Sequence, residues 1–226
     1  MTRRPVAVAF DVIETLMSIE PLRGRLTDVG QPPYLLEPWY TRTTRDGMAL
    51  SATTDFVAFP EVAESALRAL TGQSISDEQV KHVMAGFAEL PAFPDAVPAI
   101  TSLFEAGIRI ACLTNGPADL TAAFTERSGL APMVERVISV SEVYRWKPAM
   151  VVYMYAADVL DVTPELVALV AAHDWDCHGA KRAGLTTGWV RRGSAGFGAP
   201  FAPPDVTGGT LTEVAERLLA LEPLVM

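Results

Sequence analysis

The stretch "VAVAFDVIETL" covers residues 6–16 of the chain. Five apolar residues, Val6 to Phe10, run straight into Asp11. A carboxylate at the end of so apolar a strand has two readings. Aspartate is common in turns, where its side chain bonds nearby backbone. Alternatively, it is a nucleophile held at the carboxyl edge of a parallel sheet, the edge where open α/β folds bind their ligands. The residues that follow decide between them.

Four further apolar runs read as strands: "IRIACLT" at 108–114, "RVISV" at 136–140, "LVALVAA" at 166–172 and "LTTGWV" at 185–190. Continuous rather than alternating apolarity marks strands covered on both faces, as in a parallel sheet. Helical patterns lie between them, at 95–107, 117–129, 147–160 and 176–184, three of them closed by glycine. The alternation predicts an α/β fold with a Rossmann-like parallel sheet. Residues 17–90 break the rhythm. "EPWYTRTTRDGMALSA", "PEVAESALRALTG" and "SDEQVKHVMAGFAEL" are helical in pattern, with no central strand between them. "SDEQ" is a capping box, Ser76 with Gln79 three residues on. The expected organisation is a core domain of residues 1–16 and 91–226 carrying an inserted helical cap of residues 17–90. Residues 193–209, rich in Gly and Pro, read as a surface loop, and "TLTEVAERLLALE" as a closing helix.

Composition narrows the function. The chain has 226 residues and a formal net charge of −9. An acidic chain without a basic stripe is not expected to bind nucleic acid. No apolar stretch is long enough to span a membrane, and the N-terminus lacks the pattern of a cleavable signal, so a cytoplasmic location is expected. The two cysteines, Cys112 and Cys177, are too few for a disulfide framework and read as buried thiols.

Polar residues recur where strands end. Asp11 and Thr15 follow the first strand. Thr114 and Asn115 close the second in "CLTNG". Lys147 follows the third in "YRWKP". His173, Asp174 and Asp176 follow the fourth in "AAHDWD". One such case is ordinary turn chemistry; four in the same topological place make a site.

On these residues the chain resembles the haloacid dehalogenase superfamily, and most closely its (S)-2-haloacid dehalogenase branch. "FDVIET", "LTNG", "WKPAMVVY" and "AAHDWDCHGAKRAG" look like the four motifs of that superfamily, in order and on the right elements. The resemblance implies that Asp11 attacks C2 of a short 2-haloacid, expels halide and is released from its ester by water. It also implies catalytic roles for Asp11, Thr15, Lys147 and Asp176, with Lys147 as the counter-charge that keeps Asp11 ionised; His173 joins the expected catalytic set on its own chemistry. Thr114, Asn115 and Tyr153 are the implied substrate contacts. The similar phosphatases carry an acid two residues after the nucleophile and a magnesium ligand in the fourth motif. Here those places hold Ile13 and Ala172. An aliphatic side chain cannot be a general acid, so no metal and no cofactor are expected. Departures occur too. Glu14 stands in place of a usual glycine, Ala171 of a serine and His173 of an asparagine. His173 is expected to hold or deprotonate the hydrolytic water. The cap arginine that follows a tryptophan in similar enzymes is here Tyr40, after Trp39. Arg42 is the expected replacement, with Arg45 one turn away. Two other readings remain open: a phosphatase acting on a small phosphate ester, and a catalytically silent homologue that binds a small anion or a protein. The similar dehalogenases are often dimers, which leaves a homodimer open.

Overall fold

The computed structural model describes residues 3–194 and 196–223. Its sheet contains, among the described residues, six strands in the order β3-β2-β1-β4-β5-β6. These are β1 (Ala7–Phe10), β2 (Arg109–Thr114), β3 (Val134–Ser139), β4 (Val167–Ala171), β5 (Thr186–Val190) and β6 (Val206–Gly208). All neighbouring pairs are parallel. β1, β4 and β5 are buried along their whole length, which is why their sequences lack alternation. The chain order reverses direction at β1, between β2 and β4. That is the switch point where the carboxyl ends of α/β strands open a crevice.

The segment between β1 and β2 contains α1 (Leu22–Asp28), α2 (Leu36–Ala52), α3 (Phe59–Leu70), α4 (Asp77–Ala85) and α5 (Ala96–Glu105). The first four form the helical cap, and α5 packs back toward β2. At the start of α4, Ser76 Oγ accepts from the Gln79 N–H and Gln79 Oε1 accepts from the Ser76 N–H, completing the capping box. The remaining helices are α6 (Ala118–Arg127), α7 (Met150–Val159), α8 (Asp174–Arg182) and α9 (Leu211–Leu219). Gly107 and Gly184, at φ +80° and +93°, end α5 and α8 in the left-handed conformation that costs glycine little.

Alternate β1 residues feed opposite cores. Val8 and Phe10 join a cluster that continues into the cap through Leu22, Leu36 and Trp39. Ala7 and Ala9 face Tyr153, Ala156 and Leu160 of the α7 side. Three elements differ from the sequence expectation. α1 was not anticipated, because "LRGRLTD" offers only two buried apolar positions and contains a glycine. β6 lies inside the Gly- and Pro-rich stretch, formed by pairing with β5 rather than by its own pattern. α7 begins at Met150, so Lys147 precedes the helix rather than opening it.

Cap and core are joined at a tight seam. The Trp146 indole N–H donates to the Val57 carbonyl at 2.9 Å, and the Trp146 backbone N–H donates to Ser51 Oγ at 2.6 Å. The ring lies against Gly47, in the middle of α2. A Cβ at that position would come within 2.3 Å of the indole, so this glycine is required by the approach of a side chain, not by its backbone angles.

Candidate active site

Asp11 stands one residue beyond β1 and is almost wholly buried. Both its oxygens are held. Oδ1 accepts from Lys147 Nζ at 2.7 Å. Oδ2 accepts from Thr15 Oγ1 at 2.7 Å and meets His173 Nδ1 at 3.2 Å. The Thr15 oxygen in turn accepts from the Ala172 N–H at 2.9 Å, tying the loop after β1 to the end of β4. Burial pushes the Asp11 carboxyl up, but the charges and bonds of Lys147 and His173 outweigh it and leave the group well below the usual carboxylate range. Asp11 is therefore an oriented carboxylate held in its ionised form.

Lys147 reaches the site from the loop after β3 and is fully buried. Its three donors are all engaged: Asp11 Oδ1, Asp176 Oδ2 at 2.6 Å and the Leu113 carbonyl at 2.9 Å. Burial works against its charge, and the two carboxylates more than restore it. Asp176, on the first turn of α8, takes its other bond from the Tyr153 hydroxyl at 2.6 Å. Tyr153 thus orients Asp176 from within the core rather than facing an open cavity. Thr114 Oγ1 accepts from the Gly116 N–H at 2.9 Å, leaving its hydroxyl proton free to donate. Asn115 Oδ1 accepts from the Lys147 backbone N–H at 3.0 Å, which fixes the amide and leaves its NH₂ for another acceptor.

The opposite flank of Asp11 is built differently. His173 lies between two carboxylates, with Nε2 3.1 Å from Glu14 Oε2. Its ring stacks on Trp175, with centroids 4.9 Å apart, and on Tyr40 at 6.1 Å. Burial disfavours the imidazolium, but the bonds and charges of Asp11 and Glu14 prevail and raise its pKa from 6.5 to about 10. This shift favours the imidazolium near neutral pH, with one ring nitrogen facing each carboxylate. Glu14 sits at φ +65°, in the left-handed region, a conformation that explains why glycine suits this position. The two departures read separately in the sequence, Glu14 and His173, touch one another.

A cleft of ≈ 310 Å³ opens beside this flank, lined by Glu14, Tyr40, Thr44, Arg45, His173 and Trp175 among others. The cleft takes Arg45 rather than the expected Arg42. Arg45 also borders a neighbouring cavity, which Arg42, 3.5 Å from Asp46, lines with Glu37 and Leu70. Trp39 and Phe59 are core residues, and the Trp39 indole donates to the Ala63 carbonyl at 2.7 Å. Asp174 accepts from the Gly198 N–H at 3.1 Å and so fastens the loop after β5.

The donors around Asp11 are poorly suited to magnesium. The two buried carboxylates are already bridged by an ammonium, and Ile13 and Ala172 present no side-chain oxygen. Among the described residues no group of three or more His, Cys, Asp or Glu is arranged to hold a metal ion.

A model of haloacid dehalogenase-like hydrolases matches residues 6–184, which includes every side chain named around Asp11. The chain belongs to that family. Among curated relatives of this hydrolase, (S)-2-haloacid dehalogenase 1 of Pseudomonas sp. (strain CBS-3) is 33% identical over 139 residues, 62% of this chain and 61% of that one. (S)-2-haloacid dehalogenase 4A of Burkholderia cepacia is 27% identical over 213 residues, 92% of each chain. Among solved structures, a dehalogenase crystallised with an intermediate complex superposes with a TM-score of 0.87 at 26% identity, covering 96% of this chain and 98% of that one. The L-2-haloacid dehalogenase of Xanthobacter autotrophicus, with chloropropionic acid covalently bound, gives the same TM-score at 22% identity over 96% and 99% of the chains, a likeness of fold. The hydrolase thus has a superfamily sheet and helical cap, with a His173–Glu14 flank that only the folded chain reveals as a unit.

Proposed function

We propose that this hydrolase removes halide from 2-haloacids through an ester on Asp11. The observation that carries the reading is the state of Asp11: ionised, held at both oxygens, and without an acidic neighbour at position 13 to protonate a leaving alcohol. Halide leaves as a stable anion and needs no such acid. An Asp11 oxygen attacks C2 from the face opposite the halogen. The new C–O bond forms as the C–X bond breaks, and X⁻ departs with the electron pair. Orientation and partial desolvation of the carboxylate supply the rate. The free donors of Thr114 and Asn115, with the N–H groups that open α6, are suited to the substrate carboxylate. The curated relatives named for 2-haloacids support the same substrate class.

In the second step water attacks the Asp11 carbonyl carbon and gives a proton to His173, the acyl C–O bond breaks, the departing alkoxide takes that proton, and the 2-hydroxy acid leaves with C2 inverted by the first step. Esterification erases the Asp11 charge. His173 then loses the charge of Asp11, keeps Glu14, and releases its proton to solvent more readily. Only at that stage can the imidazole accept a proton from water. The order of events makes His173 a cation in the first step and a base in the second.

The test is halide release from (S)-2-chloropropionate, run with and without EDTA, beside a phosphate-release assay on small phosphate esters. Halide release that survives EDTA is expected. Phosphate release restored by Mg²⁺, without halide release, sinks the proposal. A His173→Ala enzyme should release about one halide per site quickly and then slow, with the ester visible on the Asp11 peptide by mass spectrometry.

A further inference from the structure

The chain leaves the sheet for the cap after β1 and returns before α5, and the two crossings run side by side. Met17 pairs antiparallel with Ala92. The Phe93 N–H donates to the Leu16 carbonyl at 2.8 Å and the Ser18 N–H to the Pro91 carbonyl at 2.9 Å. Arg192, two residues past β5, sits on this junction. Its Nη1 and Nη2 form a fork with Asp95 at 2.8 and 2.9 Å. Nη2 also donates to the Thr15 carbonyl at 2.8 Å. Its guanidinium carbon lies 3.9 Å from the centre of the Phe93 ring. Asp95 stands immediately before α5 and accepts from the Leu211 N–H at 2.9 Å, at the start of α9. The Arg192 charge and its neighbours hold the Asp95 carboxyl low in spite of burial.

Thr15 has two ends. Its hydroxyl grips Asp11 and its carbonyl is gripped by Arg192. We infer that Arg192 and Asp95 form a positioning clamp that holds the nucleophile loop in register with both crossings of the cap. The inference rests on Asp11 as the nucleophile. The fork is rigid, planar and always charged, and lysine cannot reproduce it. Arg192 contacts the loop outgoing to the cap through Thr15, and the returning one through Phe93 and Asp95. A shift of either crossing is thereby transmitted to the residue that aims Asp11, where misplacement by about 1 Å costs on the order of 10²-fold in rate.

Arg192→Lys and Asp95→Asn test the clamp, each studied well below its melting temperature. Two readouts are needed: kcat and KM for halide release, and hydrogen exchange of the substrate-free enzyme. Both variants should lose about 10- to 100-fold in kcat with KM within about 3-fold of the parent. Peptides covering 11–18 and 91–95 should exchange faster, while those of β2 and β3 stay protected. A lowered melting temperature with unchanged kcat marks a brace of the fold alone and overturns the inference, as does unchanged exchange at 11–18. If the parent enzyme releases no halide, the proposed reaction fails, and the exchange data alone decide the clamp.

Discussion

The two flanks of Asp11 differ in almost every physical respect. On the Lys147 flank Lys147, Asp176 and Tyr153 are sealed from solvent and bonded to one another, to Asp11 and to the Leu113 carbonyl. On the His173 flank the ring and Glu14 remain partly open, and an aromatic stack replaces the closed network. The first flank consists of residues that resemble the superfamily motifs; the second holds the departures from them. The sealed side fixes the ionisation of Asp11, the proposed nucleophile. The open side borders the cleft, and it is there that Glu14 and His173 stand.

Substitutions can break this division, beginning with the group shared by both flanks. Asp11→Asn keeps the shape and removes the nucleophile. Turnover should fall on the order of 10⁴-fold or more with a normal far-UV circular dichroism spectrum, and halide release near the parent rate from sequence-verified protein would end the assignment. Next comes the sealed flank. Lys147→Met leaves two buried carboxylates facing each other without a counter-charge, and urea melts should register a loss of about 3–5 kcal/mol. Adding Asp176→Asn should recover part of it; equal stability of the single and double variants would show that the pair does not interact as described. Gly47→Ala probes the seam that carries Lys147 through Trp146. The new methyl has no room, and a loss of about 1–3 kcal/mol is expected, with a shifted tryptophan emission; an unchanged melt would mean α2 yields freely.

The smallest effect belongs to the open flank, where solvent at the ring edge screens the charges. His173 has a folded pKa near 10, above its unfolded value of about 6.5. Its contribution to stability is thus complete below about pH 6.5 and is lost as pH rises through about 10. Stability measured by urea from pH 6 to 10.5 should decline in the parent and decline less in His173→Gln. Parallel curves would show that the imidazolium is not held by Asp11 and Glu14.

Legibility in the sequence followed the same division. β1, β2 and β4 could be read because burial on both faces leaves a mainly apolar run. β6 could not, since three residues at a sheet edge owe their form to a neighbour. Asp11, Thr15, Lys147 and Asp176 stood out because each follows an apolar run, and the fold brings them within bonding distance across as many as 136 positions. Which cap arginine faces the cleft depends on the rotation of α2 about its axis, which spacing alone leaves undetermined. Tyr153 was found but misplaced: a tyrosine on an apolar helix gives no sign of what its hydroxyl will meet. Arg192 carried no signal, because its partners come from residues 15, 93 and 95, far away in the chain.

Glu14 has a consequence for anyone who sets out to harden this protein against heat. At φ +65° a non-glycine residue stores about 1 kcal/mol or more of backbone strain, and a design routine working for stability alone would replace it with glycine. The exchange would relax the loop and at the same time strip His173 of the partner that outlasts Asp11's charge. On the proposed mechanism, robustness and turnover pull in opposite directions at that single position.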